Sequence, residues 1–573
     1  MTLNIFDDAA ETRLAQHGEI RHLERGERLV AAGEAADTLY FVRSGRFHVV
    51  VGGAVIAEIS EGDPIGEIAF FSGARRTADV VAARDSEVLA LDRTAWEGAA
   101  QMPGVVDGVL KSLSERLGAA VPHVPRLAAA PPKVVVLVPA GGKAVEADFA
   151  KPFAKALSGA APLRARDIPA DLRDDPRGIA RWLLAREGEA DTRVIWIEGL
   201  EETAFAVAAL RQSDLCMLVG DVRSASALNG LERLALTLYR PEARHLVLLR
   251  EPEAPISGTA AWIEPRAPHL HHHVATQADI SRAGRLVSGR GLGLILAGGG
   301  ALCCAHLGIA RALDEAGVQI DMYGGTSGGA AMAIALAAGL DPMEVLRRSQ
   351  DIFVRSGALK KLTIPIHALL DHHPFDSRLQ EHYGMYLLED LPVPVLAVST
   401  SLTRNGIYLH RTGDAWKAVR ASGSLPGLLP PVVTDSGEVL IDGGIVDNLP
   451  IAPMQELKLG PNIVVGLSQL QEWRLQSRYE SLPGRLDLAR DLVLRRRDPQ
   501  DFPRIMQLLQ KSMAVTSRRA HAAACMQGNV LVVPPIPPEL GLMDWHAGER
   551  LAEIGYAHMR AQIDAGLLEE IVT

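Results

Sequence analysis

The chain has 573 residues, of which 48% are hydrophobic and 22% charged, with a formal net charge of −10. At about 100–200 residues per domain this length predicts three to five domains with ample apolar surface for separate cores. The acidic balance lacks the basic footprint of a nucleic-acid binder, so no nucleic-acid partner is expected. Four cysteines, with no CxxC spacing among them, are too few for a disulfide framework and suit a reducing, cytoplasmic compartment.

The first residues, MTLNIFDDAAETRL, lack the charged and apolar regions of a secretory signal. Residues 39–42, 47–51 and 88–91 have the composition of strands, separated by glycine turns at Gly45, Gly52-Gly53 and Gly62; residues 96–117 have a helical pattern. An N-terminal β-roll with helices is therefore expected over 1–118. The Ala/Pro-rich stretch 119–133 is a linker by composition. Continuous apolar runs at 134–138, 194–197, 215–219 and 246–249 then alternate with helical stretches at 205–211 and 231–239. Strands of that kind are buried on both faces, which predicts a middle parallel α/β domain over 134–285.

His269 and His271, His272 and His273 follow a second Pro-rich stretch. Consecutive histidines point in different directions, and no carboxylate or cysteine completes a zinc pattern, so no metal site is expected. A new α/β pattern begins at Leu292, giving an expected catalytic domain over 286–470 and a mostly helical extension over 471–573, apart from 530–533. A membrane-spanning helix needs about 20 apolar residues. The stretch 330–340 is too short, and 292–313 is broken by glycines, His306 and Arg311. A soluble chain is expected, with peripheral membrane contact left open. Arg495, Arg496 and Arg497 precede an amphipathic run at 505–515, which suits either anionic headgroups or a solvated turn before a packed helix.

Two glycine loops carry the chemistry. Strand-like 292–297 runs into Gly298-Gly299-Gly300, and residues 301–316 then have a helical apolar face. Backbone N–H groups in such a loop suit an anion, whether a phosphate or a developing oxyanion. The second loop, Gly325-Thr326-Ser327-Gly328-Gly329, lies between a strand-like segment at 320–323 and the helical run 330–340. That is the strand–turn–helix context of a GxSxG nucleophile, although the motif alone also fits a structural turn. A serine hydroxyl needs a base. No suitably flanked histidine follows, but Val439-Leu440-Ile441 leads into Asp442-Gly443-Gly444, a carboxylate at a strand end that is either a base or an ordinary turn residue. His306, on the helix after the first loop, is expected to be a packed histidine.

Together these loops resemble the patatin-like phospholipases, which combine GGGxRG, GxSxG and a DGG bearing the aspartate of a Ser–Asp dyad. Asn448-Leu449-Pro450 matches the family's N-L-P, and 410–413 and 421–431 (ASGSLPGLLPP) extend the resemblance over about 292–467. It implies a patatin-like α/β hydrolase domain in which Ser327 attacks an acyl ester carbonyl and Asp442 accepts its proton. Gly298, Gly299 and Gly300 would form the oxyanion hole, and no catalytic cofactor is required. One departure stands out: the GGGxRG positions hold Gly298-Gly299-Gly300-Ala301-Leu302-Cys303, with leucine for the arginine and cysteine for the last glycine. A Cβ at residue 303 is expected to press on the loop.

At the front, Gly66-Glu67 and, nine residues after Glu67, Arg76-Thr77-Ala78 resemble the phosphate-binding cassette of cyclic-nucleotide-binding domains; LYFVRSG at 39–45 fits the same family. The resemblance implies that Arg76 takes the cyclic phosphate of cAMP or cGMP and Glu67 the ribose 2′-hydroxyl, with Gly66, Thr77 and Ala78 completing the site. Arg75 stands where the family often has proline. A sensor ahead of a patatin domain, with an α/β stretch between, resembles the neuropathy target esterase family of lysophospholipases. The expected activity is serine-dependent hydrolysis of phospholipid or lysophospholipid acyl esters, regulated by a cyclic nucleotide. The alternatives are a catalytically degenerate sensor or scaffold, and an acyltransferase using the same dyad.

Overall fold

The computed structural model describes residues 18–100, 130–173, 175–467, 484 and 528–567. The expected helix beyond residue 100, the linker up to 129 and the basic and amphipathic segments at 495–515 lie outside the described residues. The chain forms two compact units, Met1–Arg290 and Gly291–Thr573.

The first unit begins with eight short strands: β1 (Glu19–Leu23), β2 (Arg28–Val30), β3 (Thr38–Ser44), β4 (Arg46–Val51), β5 (Ala54–Ser60), β6 (Pro64–Ile65), β7 (Asp79–Ala82) and β8 (Ser86–Asp92). They form two antiparallel four-stranded sheets, ordered β1-β8-β3-β6 and β2-β7-β4-β5. Val42, Phe47, Ile65 and Val88 fill the space within the roll. Leu39, Phe41, Leu89 and Leu91 pack with Phe70 and Ala99 in a second cluster. Phe70 belongs to the short helix Glu67–Ser72 and Ala99 to the helix Arg93–Ala99.

Five strands follow: β9 (Val134–Pro139), β10 (Arg193–Trp196), β11 (Leu215–Asp221), β12 (Arg244–Leu249) and β13 (Leu270–Val274). They make one parallel sheet in the order β10-β9-β11-β12-β13. Alternation along β9 explains the layers. Val134, Val136 and Val138 pack with Ile179, Phe205 and Leu231 on one face; Val135 and Leu137 pack with Phe149, Phe153 and Ala283 on the other. His272 lies on β13 with its Nε2 3.0 Å from Nδ1 of His245, and burial holds it neutral, well below the usual imidazole range.

The roll and this sheet meet through charge. Buried Arg84 pairs with Glu187 at 2.5 Å and Asp214 at 3.2 Å, and Arg46 reaches Asp214 at 3.6 Å. Arg25 donates to the carbonyls of Leu210, Ser213 and Leu238 while lying 3.8 Å over the Tyr239 ring. It thereby caps the carboxyl ends of the helices Ala204–Gln212 and Gly230–Leu238, where carbonyls lack intrahelical donors.

The second unit is built on β14 (Gly293–Leu296), β15 (Met322–Thr326), β16 (Val395–Ser401), β17 (Gly406–His410), β18 (Val432–Val433), β19 (Val439–Asp442), β20 (Asn462–Val465) and β21 (Val530–Val532). The sheet order is β18-β19-β16-β15-β14-β20-β21, with β17 also on β16. Strands β16, β15, β14, β20 and β21 run parallel, whereas β17, β18 and β19 belong to antiparallel pairs. The expected extension after 470 supplies β21 to this sheet and the helix Gly548–Asp564, which packs on Cys304–Glu315. That approach requires glycine on both sides: a Cβ at Gly308 would lie 1.7 Å from the Ala552 carbonyl oxygen, and one at Gly555 2.0 Å from that of Ala305. Among the described residues no helix is long and apolar enough to cross a membrane.

Candidate active site

Sheet register brings the serine and aspartate to one rim. Thr326, the last residue of β15, stands opposite Val398 of β16, and the next residue of β16, Ser399, pairs with Asp442 at the end of β19. Ser327 follows at the turn into the helix Gly328–Ala337. Its φ of +55° and ψ of −127° are strained for a residue with a Cβ, a conformation that persists only where the surroundings over-determine it. Ser422 Oγ accepts the Ser327 N–H at 2.7 Å and itself donates to the Val398 carbonyl at 2.5 Å. Thr326 Oγ1 donates to the Asp447 carbonyl.

In this conformation Ser327 Oγ donates to Asp442 Oδ2 at 2.6 Å. The other carboxylate oxygen accepts the Gly444 N–H at 2.8 Å. The Asp442 backbone is pinned as well: its N–H donates to Ser424 O, and its carbonyl accepts from Thr400 Oγ1. Asp442 is 1% exposed. Burial raises its pKa to about 6, against the lowering pull of the Ser327 and Gly444 hydrogen bonds. It is therefore mostly ionised near neutral pH and close enough to that range to accept a proton.

The Gly298 loop lies against the serine. A Cβ on Gly298 would stand 2.9 Å from Ser327 Cβ and 2.5 Å from Asn448 Oδ1. Asn448 Nδ2 donates to the Gly298 carbonyl at 3.2 Å, and the Gly298 N–H reaches the Asn448 carbonyl only at 3.4 Å, a weak bond. Asn448-Leu449-Pro450 thus holds the loop from behind. The Ala301 N–H donates to Leu542 O at 2.8 Å, so it is committed away from an anion.

The pressure expected from Cys303 is absent. Residues Gly300–Cys303 form a single 3-10 turn before the α-helix Cys304–Glu315. The Cys303 sulfur packs where a Cβ on Gly328 would be, 2.8 Å from that position, and donates to the Ala297 carbonyl at 3.4 Å. The missing side chain of Gly328 therefore makes room for the extra one at 303. Leu302 is buried. His306 also turns to the Ala297 carbonyl, at 2.9 Å, and burial lowers its pKa to about 4. His410, likewise lowered to about 4 by burial, bonds Ser399 Oγ at 2.8 Å.

The residues that sequence reasoning missed are the supports. Ser422 was passed over within the recognised 421–431 stretch, although a serine ending an otherwise apolar helical face is a local signal of a buried polar task. Thr400 carried no signal, and Ser424 none beyond its place in the same 421–431 stretch, because their roles arise from the distant β16–β19 pairing.

In the β-roll, Arg76 and Gly66 of the expected cassette are joined by a hydrogen bond. Gly66 has a φ of +82° and precedes the helix Glu67–Ser72. Arg76 donates from Nη1 to the Gly66 carbonyl at 2.8 Å and from Nη2 to the Thr38 carbonyl. Glu67 and Arg76 are buried, Ala78 is half-buried and Thr77 is exposed. Elsewhere, Asp371, His372 and His373 form the one group of three potential metal-ligand side chains within 4.8 Å among the described residues.

The patatin-like phospholipase family model matches residues 294–454, and the cyclic nucleotide-binding domain model matches 20–102. An uncharacterized NTE family protein of Mycobacterium tuberculosis is 33% identical over 463 residues, covering 78% of this chain and 75% of its own. The neuropathy target esterase of Drosophila melanogaster is 26% identical over 529 residues, 81% of this chain and 37% of the relative. A lysophospholipase of Mycosarcoma maydis is 25% identical over 555 residues, 81% of this chain and 29% of the relative. The chain therefore belongs to the neuropathy target esterase (NTE) family, a lipid esterase with a patatin-like phospholipase domain behind a cyclic nucleotide-binding domain.

Proposed function

We propose that the chain hydrolyses acyl esters of lysophospholipids or phospholipids through a Ser327–Asp442 dyad. The observation that carries this is the 2.6 Å bond from the Ser327 hydroxyl to a buried carboxylate beside the Gly298 loop. Asp442 accepts the hydroxyl proton as Ser327 Oγ attacks the ester carbonyl. The tetrahedral oxyanion is held by N–H groups of Gly299 and Gly300, and by that of Gly298 on exchange of its weak bond to the Asn448 carbonyl, donors of the kind whose individual loss costs about 10²–10³ in rate. Collapse forms an acyl-Ser327 and returns the proton from Asp442 to the departing alcohol. Water, deprotonated by the same carboxylate, then releases the fatty acid and restores the serine. Lysophospholipid is the favoured substrate because the similar fungal and insect proteins are a lysophospholipase and a neuropathy target esterase. The accommodation of Cys303 by Gly328 favours catalysis over a degenerate scaffold.

The purified chain is expected to release free fatty acid from lysophosphatidylcholine and to be labelled by a fluorophosphonate probe. Absence of both would reject the enzyme reading; acyl product on a glycerol acceptor in place of free acid would make it an acyltransferase.

The β-roll is proposed to bind cAMP or cGMP and to regulate the esterase. Arg76 would exchange its Gly66 and Thr38 carbonyl partners for the cyclic phosphate, and Glu67 would accept the 2′-hydroxyl. A charge-assisted pair of this kind predicts a roughly 10–100-fold weaker calorimetric affinity in Arg76→Ala. Unchanged affinity would remove Arg76 from the site, and no binding of either nucleotide to the wild type would remove the sensor role.

A further inference from the structure

We propose that the hairpin at residues 361–371 is the element by which the catalytic unit docks on an anionic lipid surface, inserting Leu362, Ile364 and Ile366. This rests on the lipid-ester reading of the Ser327 site and assigns to it a means of reaching substrate in a membrane or micelle.

The hairpin is short and well pinned. Leu362 and Leu370 form an antiparallel bridge, Thr363 N–H donates to Leu369 O, and Asp371 N–H donates to Lys361 O. Ala368 and Leu370 are buried and anchor it. The outward side chains are the reverse of what water favours. Leu362 is 76% exposed and Ile364 and Ile366 are each 75% exposed, flanking Pro365 at the tip. Of the large apolar side chains described, only Met385 is comparably bare. A hydrogen-bonded projection that holds three aliphatic groups in solvent marks an interaction surface.

Two observations select lipid as the occupant. Exposed Lys360 and Lys361 stand at the base of the hairpin with no acidic partner among the described residues, and exposed Arg355 precedes them. Arg355 itself lies 4.0 Å from Asp351, a loose surface pair. Aliphatic tip and basic collar are the arrangement that partitions into an acyl layer beneath anionic headgroups. A tip of three side chains also falls well short of the roughly 800 Å² per partner that a stable protein interface buries.

The hairpin is also stitched to the site. Leu369 and Leu370 donate their N–H groups to the Gly427 and Leu428 carbonyls. That segment lies five and six residues after Ser422, which holds the Ser327 N–H.

The test uses the full chain in flotation with vesicles of phosphatidylcholine, with and without phosphatidylglycerol, alongside hydrolysis of a soluble short-chain ester. The wild type is expected to bind the anionic vesicles best. The double variant I364S/I366S is expected to lose at least about tenfold in vesicle affinity on both compositions. K360A/K361A should lose about fivefold per lysine on anionic vesicles only. Short-chain ester turnover should be equal in all three, which also shows that the variants are folded. Vesicle binding unchanged in I364S/I366S would overturn the proposal, as would a wild-type dimer that this variant converts to monomer in light scattering. A wild type that binds vesicles through the hairpin yet cleaves no ester would leave the docking assignment intact and reject the esterase reading.

Discussion

Ser327→Ala is expected to reduce ester hydrolysis by about 10⁴-fold or more and to abolish fluorophosphonate labelling. In the proposed mechanism the hydroxyl is the attacking atom, and the neighbouring polar groups are engaged elsewhere: Ser422 faces the Ser327 N–H and the Val398 carbonyl, and His306 faces the Ala297 carbonyl. The fold should survive, since the helix Gly328–Ala337 and the strand before it are otherwise unaltered. Stability carries independent information about the turn. At a φ of +55° a Cβ is strained, and glycine is not. Ser327→Gly, equally inactive, should therefore be more stable than Ser327→Ala by about 1 kcal/mol. Labelling or turnover that persists in Ser327→Ala would place the nucleophile elsewhere. Equal stability of the two variants would show that the turn is not under strain.

The candidate site was legible in sequence as three separate loops because each of them is local. A strand, the single turn residue Ser327 and a helix follow one another directly, and β19 runs straight into Asp442-Gly443-Gly444. What brings the loops together was not legible. The pairing of Ser399 with Asp442 joins residues 43 apart along the chain in an antiparallel strand on a mostly parallel sheet, and nothing in either segment encodes the other. The strand expected at 320–323 is found at Met322–Thr326, because Gly324 and Gly325 are strand residues and not a turn. They are glycines for packing: a Cβ at Gly324 would meet Met454 at 2.8 Å, and one at Gly325 the backbone of Gly329 at 2.5 Å. The same blindness to packing made Cys303 look disruptive. Its accommodation depends on Gly328, a residue whose sequence signal was entirely claimed by the serine motif. The parallel sheet of the middle domain, by contrast, followed from continuous apolar strands. Its charged seam with the β-roll at Arg25, Arg84 and Asp214 did not, since isolated charges on a sequence are usually solvated.

Asp442→Asn should lose activity to a similar degree as Ser327→Ala while making the catalytic unit more stable at neutral and alkaline pH. An amide cannot take up the serine proton, yet it fits the site: its oxygen can still accept from Gly444 N–H and its NH₂ can donate to Ser327 Oγ. The stability gain follows from the raised pKa of the native carboxyl. Its folded value of about 6 lies above the unfolded value of about 3.9, so the native state binds the proton more tightly. Ionised Asp442 therefore opposes folding, and that cost is complete above the folded pKa and vanishes below the unfolded one. A shift of about two units corresponds to about 3 kcal/mol, or several degrees in Tm. The advantage of Asp442→Asn over wild type should thus be largest at pH 8, shrink as pH falls through 6 and disappear near pH 4. The same titration sets the rate: kcat/KM of the wild type should rise with pH through about 6 as Asp442 ionises, and be level above it. A Tm difference that does not change between pH 8 and pH 5, together with a rate profile flat through pH 6, would mean that Asp442 is not the group that gives and takes the proton. A rate profile that holds without the pH-dependent difference in Tm would assign the titration near pH 6 to a group other than Asp442, because a raised folded pKa and a pH-dependent stability are one linkage.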